Sequence, residues 1–409
     1  MRILFLTIGA VYNFNNSGTY TDLLKKFARE GHEVYVVGAV EKRNGKETQL
    51  VVEYGINILR VKVGNITKTN LLEKGISTLT IGKHYQRAIN KYWLDVSFDL
   101  ILYTTPPITI AGLVTKLKKK YNAYTYLLLK DIFPQNAIDI EILRKTGWRG
   151  LIYRYFKRIE KKLYKVSDKI GCMSPANVKF VKCQNKEIPS DKLEICPNTI
   201  DVIPEETCYI KEEVLKEYNL PKDKFLLLYG GNFGKPQNVE YIIEAIEGCK
   251  YVNNIHFVLC GSGTDFGKIE SYMNDIKPKH VTVIQHLPYE KYAQLVSVCD
   301  VGLLFLDYRF TIPNFPSRLL DYMNHELPVI AATDANTDVG KTIVDGAFGW
   351  WCESKKPDEY VELIQSIFMV KSVETIMIEK SKNARKYLKN NFETNVAYNC
   401  IVESYEKSR

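Results

Sequence analysis

Apolar residues recur along this chain in two alternating ways: as short continuous runs, and as longer stretches with apolar positions three or four apart. Runs of about four to eight apolar residues suit strands buried on both faces, and the three-four spacing suits one face of a helix. The first half reads as strands at 2–8, 33–37, 100–104, 124–129 and 169–173, with helices at 19–30 (ending at Gly31), 109–119 and 150–166. The stretch 201–223 is charged, lacks strand alternation and carries Pro204 and Pro221 as breakers, which suits a passage between domains. The pattern then restarts, with strands at 225–229, 256–260, 281–284, 301–305 and 329–332. Helices are expected at 239–247 (closed by Gly248), 266–274, 289–298 and 317–324, and the chain is helical by pattern from Asp358 on. Strand and helix alternate throughout and no short repeat interrupts them. The expected class is α/β, with two Rossmann-like, doubly wound domains and ligands at the carboxyl ends of the strands, in a cleft between the halves.

Composition narrows this picture little. The 409 residues are 45% hydrophobic and 25% charged, enough for two buried cores and inconsistent with disorder. No apolar run reaches the roughly 18 residues of a membrane span, and the first run leads straight into a helix, as a core strand does and a signal peptide does not. The nine Cys are scattered with no C-x-x-C pair, so buried reduced thiols in a cytoplasmic protein are expected, Cys208 among them. The six His show no metal-ligand spacing and no D-x-D is present, so no metal site is expected.

Four segments carry candidate chemistry. The loop 15–20 (NNSGTY) joins a strand to a helix, so Ser17 and Gly18 form either a plain turn or an anion site at a helix N-terminus. The loop 229–240 holds Gly230, Gly231, Asn232, Gly234 and Lys235. A glycine-rich turn with a cation can hold a diphosphate through backbone N–H groups and charge, though the G-K-[ST] ending of a Walker loop is missing. The segment from Gly261 to Gly267 lacks G-x-G-x-x-G spacing and reads as a turn beneath a nucleotide base. In 313–334, Ser317 is a candidate N-cap and Arg318 a phosphate ligand in the first turn, with Asp321 placed to accept from ribose hydroxyls. Arg318 and Asp321 as an exposed i, i+3 ion pair is the plainer alternative. His286, between a strand and a helix, is the one histidine suspected of touching ligand, with a purely structural role the slightly favoured alternative.

In order along the chain, MRILFLT, GHEVYVV, SFDLILYTTPP, CMSPANV, PNTID, YGGNFG, FVLCGSG, CDVGLLFL and PSRLLDYMNHELPVIAA make it similar to GT-B glycosyltransferases of glycosyltransferase family 4. Lys130 to Pro134 stands where the transferases of bacterial capsule, O-antigen and colanic-acid assembly have R-D-x-x-P. The resemblance implies an acceptor-binding domain at 1–200, a nucleotide-sugar-binding domain at 201–385, and a helix at 386–409 packing back on the first. It implies a retaining hexosyl or N-acetylhexosaminyl transfer from a nucleotide-diphosphate sugar, UDP first, with no cofactor and no metal. Carried across, Gly18 would approach the donor phosphate, and Lys235 and Arg318 would bind the diphosphate. Ser317 and the N–H groups of Leu319 and Leu320 would assist, Asp321 would hold the ribose, and Asp131 would lie near the reacting sugar. Two positions depart from the pattern: Pro313 stands where the first of a pair of Glu is usual, and Gln237 where Lys is common.

The net charge of +9 matters through its distribution. The helix at 148–166 sets Ile152, Tyr155, Phe156, Ile159, Leu163 and Val166 on one side, and Arg154, Lys157, Arg158, Lys161, Lys162 and Lys165 on the other. That pattern suits an anionic membrane surface, and the resemblance implies a polyprenol-diphosphate-linked acceptor there, at the inner face of the cell membrane. No nucleic-acid motif accompanies it. Two other functional classes remain open: a nucleotide-sugar 2-epimerase of the same fold, and a catalytically silent partner, motivated by Pro313.

Overall fold

The computed structural model describes residues 1–9, 14–67, 69–204 and 209–409, apart from the side chains of Leu71 and Leu72. Cys208 lies outside these residues. The contacts divide the chain into two compact units, Met1–Asp201 with Thr394–Arg409, and Val202–Glu393.

The sheet of the first unit contains β1 (Arg2–Leu6), β2 (Glu33–Glu41), β3 (Gln49–Glu53), β4 (Ile56–Val63), β5 (Leu100–Thr104), β6 (Tyr124–Leu129), β7 (Lys169–Cys172) and β8 (Leu193–Ile195). Its order is β3-β4-β2-β1-β5-β6-β7-β8. Neighbours run parallel except for β3 and β4, which form a hairpin. Tyr54 (φ 53°) and Gly55 (φ 74°) make its two-residue turn, where both central residues take positive φ. The pattern reading missed this hairpin because a Tyr-Gly pair lacks the Asn-Gly or Asp-Gly signal. It also missed the helix Leu71–Tyr92. The continuous apolar runs are buried on both faces, as parallel strands covered by helices require. The helix Thr394–Glu406 sends Ala397, Ile401 and Tyr405 into the core formed by Ile3, Phe5, Leu24 and Phe27.

In the second unit the sheet contains β9 (Phe225–Asn232), β10 (Ile255–Ser262), β11 (Val281–Gln285), β12 (Val301–Phe305), β13 (Val329–Thr333) and β14 (Gly349–Glu353). Its order is β11-β10-β9-β12-β13-β14, and its strands are parallel. The chain winds outward from β9 to β11, then crosses to the other side of β9 at β12, so the strand order reverses between β9 and β12. In an open parallel sheet this reversal opens a crevice at the carboxyl ends. The first sheet reverses in the same way between β1 and β5. The segment read as a featureless passage holds a helix, Lys211–Glu217, whose Val214 and Leu215 are buried.

Most thiols are buried as expected, but Cys183 is exposed, and Cys352 and Cys400 are half-buried. Among the described residues no helix is long and apolar enough to cross a membrane.

Candidate functional site

At the reversal point of the second sheet, β9 ends in Gly230, Gly231 and Asn232. Two side chains fix this loop from beneath. Tyr229, in the core, donates its hydroxyl to the Asn232 carbonyl (2.6 Å). Gln237, also buried, accepts from Asn232 Nδ2 (2.8 Å) and from the Gly234 N–H (3.3 Å). Gln237 thus holds the loop's shape from the position where Lys is common in the resembling family. A short helical turn, Lys235–Gln237, lifts Lys235 to the surface. Among the described residues Lys235 has no ion-pair partner.

The glycines have steric reasons. A Cβ on Gly261 (φ 157°) would lie 1.8 Å from the Gly231 carbonyl oxygen, and one on Gly263 would lie 2.0 Å from that of Phe233. The loops after β9 and β10 therefore pack backbone against backbone, and Phe233 N–H donates to the Ser262 carbonyl (2.9 Å). The missing side chain of Gly261 makes room for the neighbouring loop. Gly234 is buried, and a Cβ there would meet Asn232 Nδ2 at 2.8 Å.

The helix Arg318–Asn324 approaches this loop from the β12 side. Tyr322 anchors it, accepting from the Gly230 N–H (3.0 Å) and donating to the Leu303 carbonyl (3.1 Å). Its ring lies where a Cβ on Gly302 would sit, 2.4 Å from that position. Arg385 holds the helix's far end, donating from Nη1 to the Asn324 carbonyl (2.7 Å) and Oδ1 (2.9 Å). With the helix fixed at both ends, Arg318 lies over the Tyr229 ring, 4.7 Å from its centroid. Its guanidinium nitrogens are 3.1 and 3.3 Å from where a Cβ on Gly231 would be. Arg318 Nη1 is buried without a hydrogen-bond partner. Among the described residues no carboxylate pairs with this guanidinium, so it does not form the i, i+3 ion pair with Asp321. A buried, unpaired guanidinium N–H beside an exposed glycine is a place prepared for an anionic acceptor.

Two details of the local reading are corrected. Ser317 has helical φ and ψ (−63°, −24°) and makes no capping hydrogen bond. The N–H groups of Leu319 and Leu320 donate to the carbonyls of Pro316 (3.2 Å) and Ser317 (2.9 Å), so they are already engaged. Pro313 is buried in the loop before the helix. Asp321 is half-buried one turn on, and His286 stands exposed just after β11, at the same carboxyl edge. Asp307, missed by sequence reading, is buried past the end of β12 and accepts both Nε and Nη2 of Arg309.

In the first unit, the end of β1 and the ends of β5 and β6 gather Thr7, Thr104, Thr105, Lys130 and Asp131. Thr104 donates to Thr7 (3.2 Å), and the Thr105 hydroxyl accepts from the N–H groups of Lys130 and Asp131 (each 3.1 Å). Burial pushes the Asp131 carboxyl up to about 6, against a hydrogen bond from Asn136 Nδ2 (2.8 Å). Burial pulls the Lys130 ammonium down to about 8. Ser17 and Gly18 are otherwise engaged: the Ser17 hydroxyl (2.6 Å) and the Gly18 N–H (3.1 Å) both donate to Asp22 Oδ2. The N–H of Asp201 joins them (3.1 Å). The Asp22 carboxylate thus already serves as the internal acceptor for these three donors.

The family described as "Glycosyl transferases group 1" matches residues 210–387, nearly all of the second unit. The chain is 22% identical over 358 residues to the probable glycosyltransferase WbjE of Pseudomonas aeruginosa, covering 87% of this chain and 86% of that protein. This chain is a GT-B glycosyltransferase. The same fold runs through sucrose-phosphate synthase of Thermosynechococcus elongatus, with a TM-score of 0.75 at 15% identity over 100% of this chain and 99% of that one. It also runs through HepE of Anabaena, solved with UDP, with a TM-score of 0.67 at 13% identity over 100% of both chains. The matched domain contains the glycine loop, Asp321 and Arg318 with its buried, unsatisfied Nη1.

Proposed function

We propose that this glycosyltransferase moves a sugar, with retention of configuration, from a nucleotide-diphosphate sugar to a lipid-linked or oligosaccharide acceptor in bacterial surface-polysaccharide assembly. The observation that carries this reading is the buried Arg318 Nη1, without a partner, beside Gly231 at the reversal point of the sheet. UDP is the first candidate nucleotide, since the similarly folded HepE was solved with it.

In this reading Arg318 and Lys235 hold the diphosphate, Asp321 the ribose, and Asp131 a hydroxyl group of the reacting sugars. The bond from the donor's anomeric carbon to the diphosphate breaks, and the acceptor oxygen bonds that carbon on the same face. The acceptor proton passes to the departing diphosphate. Negative charge grows on the diphosphate as the bond breaks, and a fixed guanidinium stabilises that charge without reorganising. No metal and no cofactor are invoked. Pro313 removes a carboxylate that would otherwise reach the donor sugar, so sugar selection falls to other groups. The chain works beside an anionic membrane surface, where its lipid-linked acceptor is held.

Titration calorimetry with UDP, GDP, ADP and dTDP tests the donor site, and hydrolysis of the matching sugar nucleotides tests the transfer. Binding of one nucleotide with slow release of sugar from its donor is expected. Nucleotide binding with no turnover of any donor would favour a silent partner protein, and no binding at all would remove the assignment of Arg318.

A further inference from the structure

The helix Gly147–Val166 of the first unit shows something that its sequence pattern misplaced. Its core-facing side is made by Leu163, Tyr164 and Glu160, with Phe156 against Phe133 at 5.1 Å between ring centres. Glu160, the helix's single acid, is buried and engaged by Lys157 and by the Tyr164 hydroxyl (3.1 Å). Tyr155, on the apolar side by its spacing, is 47% exposed, and Trp148 and Leu151 are 68% and 61% exposed. Trp148, Leu151, Tyr155, Arg158, Lys162 and Lys165 follow one another at alternating steps of three and four, and all six are exposed. Such steps trace one stripe along a helix. Its first half is apolar and its second half cationic. Among the described residues Arg158, Lys162 and Lys165 have no ion-pair partner, whereas Lys161 is paired with Glu187 (2.7 Å).

We infer that this stripe is a bilayer-docking element in which Trp148, Leu151 and Tyr155 enter the headgroup–acyl boundary, while Arg158, Lys162 and Lys165 lie against anionic headgroups. The inference rests on the membrane-surface reading above and names its apolar half. Charge complementarity commits it to an anionic bilayer: no exposed acid interrupts the stripe, and a tryptophan with an apolar body and a polar N–H suits the interface. A purely polyanionic partner, such as RNA, would use the cations and leave the three apolar side chains in water.

The test is co-flotation of the full chain with phosphatidylcholine vesicles containing one-third phosphatidylglycerol, together with Trp fluorescence. Salt-sensitive binding and a blue shift of emission are expected, with the shift lost in Trp148→Phe. Replacing Arg158, Lys162 and Lys165 by Gln should weaken binding by about a hundredfold. Replacing Trp148, Leu151 and Tyr155 by Ser should weaken it by about tenfold or more and leave a contact that salt fully reverses. All these positions are exposed, so UDP binding by the same variants checks folding and reads the donor site separately. Vesicle binding unchanged in the Ser variant, or equal binding to single-stranded RNA with no blue shift on vesicles, would overturn the inference.

Discussion

The guanidinium of Arg318 comes within 3.1 Å of the point where Gly231 would carry a Cβ, and this approach is possible because Gly231 has none. The two residues are 87 positions apart in sequence (318 − 231) and meet at one edge of the sheet because Tyr322 ties the helix bearing Arg318 to Gly230.

Removing this guanidinium is expected to weaken nucleotide binding. Arg318→Ala should raise the Kd for UDP about ten- to a hundredfold, as for a charge-assisted contact of about 1.5–3 kcal/mol. Arg318→Lys should restore little, because an ammonium cannot both lie over Tyr229 and present the fork. Calorimetry reads both.

A side chain at Gly231 should act on the same site indirectly. Gly231→Ala puts a Cβ against the guanidinium and holds it at φ 132°, a conformation that L-residues disfavour. The expected result is nucleotide binding as weak as in Arg318→Ala, with stability lowered by about 1–3 kcal/mol in urea.

Tyr322→Phe leaves the Gly230 N–H and the Leu303 carbonyl without their partner. Two unsatisfied buried groups should lower stability by about 2–4 kcal/mol, and the helix should hold Arg318 less firmly. Equilibrium denaturation checks the first effect, and a weaker UDP titration the second.

Asp22 gathers the Ser17 hydroxyl and the N–H groups of Gly18 and Asp201 on one carboxylate. Asp22→Ala should destabilise by about 2–4 kcal/mol in the same assay, since buried donors would lose an ionic acceptor.

Asp131 gives a pH dependence. Its folded value near 6 lies above its ordinary 3.8, so the folded chain holds the proton more tightly than the unfolded chain between those values. Stability should therefore fall as pH rises from about 4 to about 6, and this slope should be absent in Asp131→Asn. If the ionised carboxylate serves transfer, kcat/KM should rise through pH 6, and the same variant should lose that limb. Thermal melts and a pH–rate profile read the two effects.

Much of this architecture is legible in the sequence. Parallel strands buried on both faces leave long apolar runs in the sequence, and helices between them leave the three-four period, so the two doubly wound sheets could be read directly. The glycine loop and Arg318 could also be picked out, because a loop without side chains and a cation near a helix start carry their chemistry in the residue types. The hairpin through Tyr54 and Gly55 could not be read, since its turn lacks the residues that usually announce one.

Tertiary structure alone decided which donors and charges remain available. Ser17 and Gly18 look like an anion site in sequence, yet Asp22 folds back onto both. Gln237 looks like a missing cation, yet it holds the glycine loop in place. Tyr155 has the spacing of a buried residue and stands half-exposed, because the buried stripe is set by what packs against the helix. Periodicity follows from backbone geometry, which each segment carries by itself. Whether a polar group is already satisfied depends on partners far along the chain, and only the folded molecule brings those together.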